Sequence, residues 1–266
     1  MSTGSGEPVT VVAHGLGASV AETRPLVGGV PGTRVLYAAR GHGASPLPAG
    51  PITYDAITYD VLADDLAAVA DEHLATQALG VSMGAGSLLR LLARRPDRFT
   101  RVVLFLPAVL DHARSDPAVR RLSVLAAALT AGDRDAVLRC VLQELPPDLR
   151  PAAAAYAAAR TEFLLDSPGV AVVLRDLTAE VPVVDRAQLA SVTAEVLILA
   201  QEGDPLHPAQ VGRDLANVLP SARLVVFDRP GVVFRERARF RELVSSHLGR
   251  AAAPAPSHRP APARRG

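Results

Sequence analysis

Short apolar runs alternate along the chain with longer stretches in which apolar residues recur at helical spacing. That alternation predicts a mostly parallel sheet with helices on both faces. Strands are expected at Val9 to Ala13, Arg34 to Ala39, Gln77 to Val81, Arg101 to Leu106, Val196 to Ala200 and Arg223 to Phe227. A helix is expected from about Ile57 to His73, with Val61, Leu62, Leu66 and Val69 along one stripe, and others at Met83 to Arg94 and Arg235 to Leu248. From Asp111 to about Leu189 the strand pattern stops. The segment is rich in alanine and arginine, helical in period, and interrupted by Pro117, Pro146, Pro147, Pro151 and Pro168. Three or four short helices inserted between strands, forming a lid, are expected there. The reading is one α/β domain over residues 1–249 with a lid at about 111–189, followed by a disordered Pro/Ala/Arg-rich tail at 250–266.

Length and composition narrow the chemistry. A chain of 266 residues suits one domain with an extensive core. The net charge of +1, with acids and bases interspersed, provides no electrostatic reason to expect nucleic acid. No apolar run approaches the ~20 residues of a membrane span. The first residues have neither a basic n-region nor an apolar h-region, so a cytoplasmic protein without a membrane partner is expected. Cys140 is the one cysteine, which excludes an intramolecular disulfide and reads as a buried inert thiol. The sequence contains no lysine, excluding Schiff-base catalysis and a lysine-anchored pyridoxal phosphate. No Cys/His cluster has zinc-ligand spacing and no G-x-G-x-x-G follows a strand, so neither cofactor nor metal is expected.

Candidate chemistry centres on Gly80-Val81-Ser82-Met83-Gly84, between the apolar Ala78-Leu79 and the helical run from Ala85. Small residues beside Ser82 allow a tight strand-to-helix turn that lifts the hydroxyl out of the sheet. The Met83 N–H, at the start of the following helix, then points toward any oxyanion bound there. This order of strands, elbow, helical insertion and terminal helix resembles the α/β-hydrolase superfamily from about Pro8 to Leu248. The resemblance implies an α/β-hydrolase fold with Ser82 in a pocket, Leu16 N–H as second oxyanion donor, and Asp204 of Glu202-Gly203-Asp204-Pro205 as the acid. It also implies that His14 and Gly15, beside the pocket, hold the oxyanion loop, and that His42 of Arg40-Gly41-His42-Gly43 is structural. Asp111 is an alternative carboxylate at the rim. The family begins with two further strands, whereas only seven residues precede Pro8, which predicts a shortened sheet edge or a later start.

The departure from the family lies at the base. Aligning Leu224 to Phe227 with the last strand puts the family's glycine-histidine pair on Gly231-Val232, and no histidine occurs from Pro208 to Ser246. His207 is expected only to cap the loop carrying the acid. The reading is therefore an incomplete triad, with Ser82 and Asp204 present and Val232 in place of histidine. The segments His14-Gly15-Leu16-Gly17-Ala18-Ser19-Val20-Ala21-Glu22-Thr23-Arg24-Pro25-Leu26 and Arg40-Gly41-His42-Gly43 are similar to the atypical group that includes the bottromycin peptide epimerase. That group lacks both the histidine and the elbow serine; Ser82 is present here. The resemblance implies proton transfer or epimerisation beside a carbonyl on a peptide or other natural-product intermediate, with a lid or substrate carboxylate as base. Glu144, Asp148, Glu162 and Asp166 are candidates from the lid. Two other readings stay open: a serine hydrolase of esters, thioesters or amides using Ser82, and a non-catalytic binder of a small molecule or peptide.

Overall fold

The computed structural model describes residues 1–47 and 57–249, so the expected tail at 250–266 lies outside the described residues. Seven strands form one sheet in the order β1-β3-β2-β4-β5-β6-β7: β1 Ser2–Thr3, β2 Val9–Ala13, β3 Thr33–Leu36, β4 Gln77–Val81, β5 Arg101–Phe105, β6 Glu195–Gln201 and β7 Ala222–Phe227. All neighbours are parallel except β1, which runs antiparallel to β3 and covers that edge with two residues.

Period-two alternation divides the strand residues between two cores. Val11, Ala78, Val102, Leu104, Val196 and Ile198 pack on one face, against α2 (Tyr59–Glu72), α3 (Met83–Arg94) and α8 (Ala209–Val218). Val12, Leu79, Val103, Phe105, Leu197 and Leu199 pack on the other, against Phe240, Val244 and Leu248 of α10 (Arg237–Leu248). These strands are apolar on both faces because helices cover both.

Four helices enter between β5 and β6: α4 Asp116–Ala131, α5 Arg134–Glu144, α6 Ala154–Leu165 and α7 Gly169–Leu177. Local chemistry sets several ends. Gly132 closes α4 in the left-handed region at φ +64°, and the Asp133 side chain accepts the Ala136 N–H to start α5. Leu125, Val137, Val141, Leu164, Val170 and Leu174 give the insertion its own apolar cluster above the sheet. The helix α8 has no counterpart among the expected elements, and a short helix α9 (Val232–Arg235) precedes the expected terminal helix, which is α10.

Candidate active site

Ser82 stands between the end of β4 and the start of α3 with φ +48° and ψ −103°. A non-glycine residue in this region stores about 1–3 kcal/mol of strain, which the surrounding structure must hold. Its N–H donates to Phe105 O at 2.9 Å, and its carbonyl accepts from Gly86 N at 3.0 Å. The flanking glycines answer to crowding. A β-carbon on Gly80 would lie 2.5 Å from Gly84 O, and one on Gly84 would lie 2.3 Å from Ala13 O. The elbow is therefore glycine-bracketed because α3 starts directly against β2 and β4.

The structure corrects the reading of a pocket without an imidazole. His207, in the loop between β6 and α8, places Nε2 2.9 Å from Ser82 Oγ and Nδ1 2.9 Å from Asp204 Oδ2. A carboxylate only accepts, so Nδ1 carries the proton and Nε2 is left to accept from the Ser82 hydroxyl. Asp204 Oδ1 also accepts from the N–H groups of Leu206 (2.9 Å) and His207 (3.2 Å), and Oδ2 from Gln201 Nε2 (2.8 Å). Burial alone would raise the Asp204 pKa. The His207 imidazole and the surrounding donors outweigh it and hold the carboxyl well below the ordinary carboxylate range.

His207 therefore does more than cap its loop. It bridges acid and serine from three residues beyond Asp204, and a loop this tight keeps acid and imidazole together without a second strand. The sequence signal was the Asp-x-x-His spacing in Asp204-Pro205-Leu206-His207-Pro208. Val232, expected in the pocket in place of histidine, is 1% exposed at the start of α9 and packs with the apolar core beside Phe227 and Phe240. Its N–H and that of Gly231 donate to Gln201 Oε1 at 3.3 and 3.0 Å. Gln201 thus ties the turn after β7 to the acid on the neighbouring loop.

His14, also expected beside the pocket, stands a layer behind it. Its Nε2 accepts from Ala39 N (2.9 Å) and its Nδ1–H donates to Gly15 O (2.8 Å). His42 accepts from Gly17 N at 2.9 Å and donates to Arg40 O at 3.1 Å. The two rings meet edge to face at 4.8 Å. Burial lowers both pKa values; that of His42, with His14 beside it, falls to about 3. Two neutral histidines thus brace residues 15–17. Gly15 itself reaches the site, since a β-carbon there would lie 3.6 Å from the Ser82 β-carbon. Met83, first residue of α3, has one of the helix's unpaired N-terminal N–H groups.

The lid grips the same loop. Arg160 of α6 donates to Gly17 O (3.0 Å) and Leu16 O (3.5 Å) and pairs with Glu22 (3.4 Å) and Glu144 (3.3 Å). Glu22 in turn closes a capping box with Ser19 on α1 (Val20–Thr23). A cavity of about 740 Å³ opens over Ser82 and His207, with Leu16, Glu144, Arg160, Phe163, Phe234 and Phe240 in its walls. Asp111, the alternative acid, is taken by Arg186 (2.5 and 2.7 Å) and His112, which hold its pKa at about 2. Among the lid carboxylates, Glu144 reaches the cavity; Asp148 pairs with Arg235 and Glu162 with Arg134. Cys140 is half-buried, and no group of three or more His, Cys, Asp or Glu able to hold a metal occurs among the described residues. None of the described helices is long and apolar enough to cross a membrane.

A strained serine between strand and helix, under a helical insertion on a parallel sheet, defines the α/β-hydrolase fold. The family model Hydrolase_4 (serine aminopeptidase, S33) matches residues 5–232, and the chain belongs to that family. No curated protein sequence matches it. Solved structures do. An esterase from Exiguobacterium antarcticum superposes with a TM-score of 0.76 at 21% identity, over 94% of both chains. The enol-lactonase from Burkholderia xenovorans LB400 superposes at 0.77 and 22% identity, over 94% of this chain and 95% of that one. A hydrolase from Pseudomonas aeruginosa PA01 superposes at 0.70 and 25% identity, over 94% and 93%.

Proposed function

We propose that this protein is a serine hydrolase of esters or lactones, with Ser82 as nucleophile, His207 as general base and Asp204 orienting the imidazole. One observation carries the reading: His207 lies at hydrogen-bond distance from both Ser82 Oγ and Asp204. The Ser82 proton passes to Nε2 as Oγ attacks the substrate carbonyl, and Asp204 stabilises the imidazolium that forms. The carbonyl oxygen takes the negative charge and accepts from the N–H groups of Met83 and Leu16. His207 returns the proton to the departing alkoxide. Water, deprotonated by the same nitrogen, then releases the acyl group from Ser82.

Family membership supports a hydrolase, and the neighbours named esterase and enol-lactonase suggest the ester and lactone classes. Proton transfer or epimerisation on a peptide drew its motive from a pocket without an imidazole. With His207 beside Ser82 that motive is gone, and acyl transfer is the reading the geometry favours. A fluorophosphonate probe should label Ser82 and no other residue, and activated-ester turnover should vanish in Ser82→Ala. Turnover that survives Ser82→Ala, or deuterium uptake from D₂O at a substrate α-carbon without bond cleavage, would overturn it.

A further inference from the structure

Six charged side chains line the cavity over Ser82: Glu22, Glu144, Arg114, Arg160, Arg237 and Arg241. Four arginines less two glutamates leave a formal charge of +2 on its walls, on a chain whose whole net charge is +1. Both glutamates are bound to the buried Arg160. Arg114, Arg237 and Arg241 have no carboxylate partner among the described residues, whereas Arg235 and Arg239, on α9 and α10, are paired with Asp148 and Glu236. On these two helices, the arginines that face the cavity are the ones without a carboxylate.

Their placement ties them to the reacting atoms. Arg237 and Arg241 stand one turn apart on α10, on either side of Phe240. Phe240 packs on Phe105 with ring centroids 4.6 Å apart, and Phe105 O accepts the Ser82 N–H. Arg241 is held in position by donation from Nε to Gly28 O at 3.1 Å, and its guanidinium occupies space that a side chain on Gly28 would fill. Arg237 opens α10, whose first turn contains no acid, so the positive helix end adds to its charge. The carboxylate that precedes Arg237, Glu236 at the N-cap, is engaged by Arg239 at 2.8 Å. Positive potential concentrated in a cleft with low-dielectric walls draws in an anion and is uncompensated without one.

We infer that the substrate carries an anionic group, carboxylate or phosphate-like, held by Arg237 and Arg241 at one wall of the cavity while its ester carbonyl lies at Ser82. This rests on the hydrolase reading above and adds the substrate's charge to it. Two guanidinium forks one turn apart match either oxyanion.

The test compares 4-nitrophenyl esters of matched length: the glutarate half-ester, its phosphonate counterpart and the neutral pentanoate. At low salt the charged esters should show kcat/KM about tenfold above the neutral one, mostly through KM. The ratio should fall toward one in the Arg237→Gln/Arg241→Gln protein and with ionic strength raised to about 0.5 M. Arg239→Gln, on the same helix and outside the cavity, should leave it unchanged. Carboxylate and phosphonate arms identify which anion is preferred. A neutral ester turned over as well as the charged ones, or a preference that survives the double substitution, would overturn the inference. Calorimetry of Ser82→Ala protein with glutaramate against pentanamide reads the same anion site without turnover. Should fluorophosphonate leave Ser82 unlabelled while glutaramate still binds preferentially, the hydrolase reading falls and the anion site stands; equal binding of the two amides overturns the site.

Discussion

Two neighbouring loops at the same end of the sheet do different work. The loop after β6 carries Asp204 and His207, both hydrogen-bonded into a line that ends at Ser82 Oγ. The turn after β7, where the superfamily pattern puts the histidine, carries Gly231 and a Val232 sunk into the core. Gln201 spans them, accepting from the β7 turn and donating to the acid. The contrast teaches that a base is defined by where its nitrogen lies, and that the same point beside a serine can be reached from either loop.

The comparison breaks most directly at His207. His207→Ala should lower ester turnover by about 10⁴- to 10⁶-fold with KM little changed, as for other triad members, measured on an activated ester. Retention of more than about a hundredth of the rate would move the base elsewhere. Next in size is Gln201→Leu, which strips Asp204 of one donor and leaves the Gly231 and buried Val232 N–H groups of the β7 turn unpaired. A loss of about 10- to 100-fold in kcat is expected, with lowered thermal stability; an unchanged kcat would show that the two loops are independent.

Val232→His sharpens the contrast from the other side. A histidine at a site 1% exposed and packed against Phe227 and Phe240 should cost about 1–3 kcal/mol of stability and bring no gain in turnover, read by denaturant unfolding and ester assay. A large gain would mean that the β7 turn still holds the productive position. The smallest effect is in the acid limb. The folded Asp204 pKa is depressed, so its stabilising contribution is complete above the unfolded value near 3.8 and is lost as pH falls through the lower folded value. The difference in Tm between wild type and Asp204→Asn should therefore be constant above about pH 5 and close steadily below about pH 4. A gap that widens on acidification would reverse the sign assigned to the Asp204–His207 pair.

Much of the fold could be read from local pattern, because the inner strands β2, β4, β5 and β6 are largely apolar runs covered on both faces. Gln77 to Val81 and the helix from Met83 are found where the periodicity puts them, and the proline-broken stretch after Asp111 resolves into four helices. The helix α8 went unread although its Ala209, Gly212 and Leu215 are buried at helical spacing and Val211, Ala216 and Val218 pack beside them; two of the three buried positions are small residues, which weakens the apolar pattern in the sequence. Ser82 was legible because the turn that carries it leaves a local mark: Gly80 must be glycine for clearance from Gly84 four residues on, and Gly84 for clearance from Ala13 on β2. His207 was not, for the opposite reason. Its significance depends on a serine 125 residues away, and a gap-free alignment of β7 drew attention to Val232, which is buried in the core, and away from the loop after β6.

Arg160 has a dynamic consequence. One buried guanidinium from α6 holds the carbonyls of Leu16 and Gly17 and pairs with both Glu22 and Glu144. Lifting α6 away would release the loop behind the proposed oxyanion site and leave two carboxylates uncompensated, so the smallest opening that exposes the cavity from this side is a collective one. The amides of α6, of α1 and of residues 15–17 should exchange with solvent deuterium at a common free energy, as one cooperative unit, while the strands beneath them remain closed.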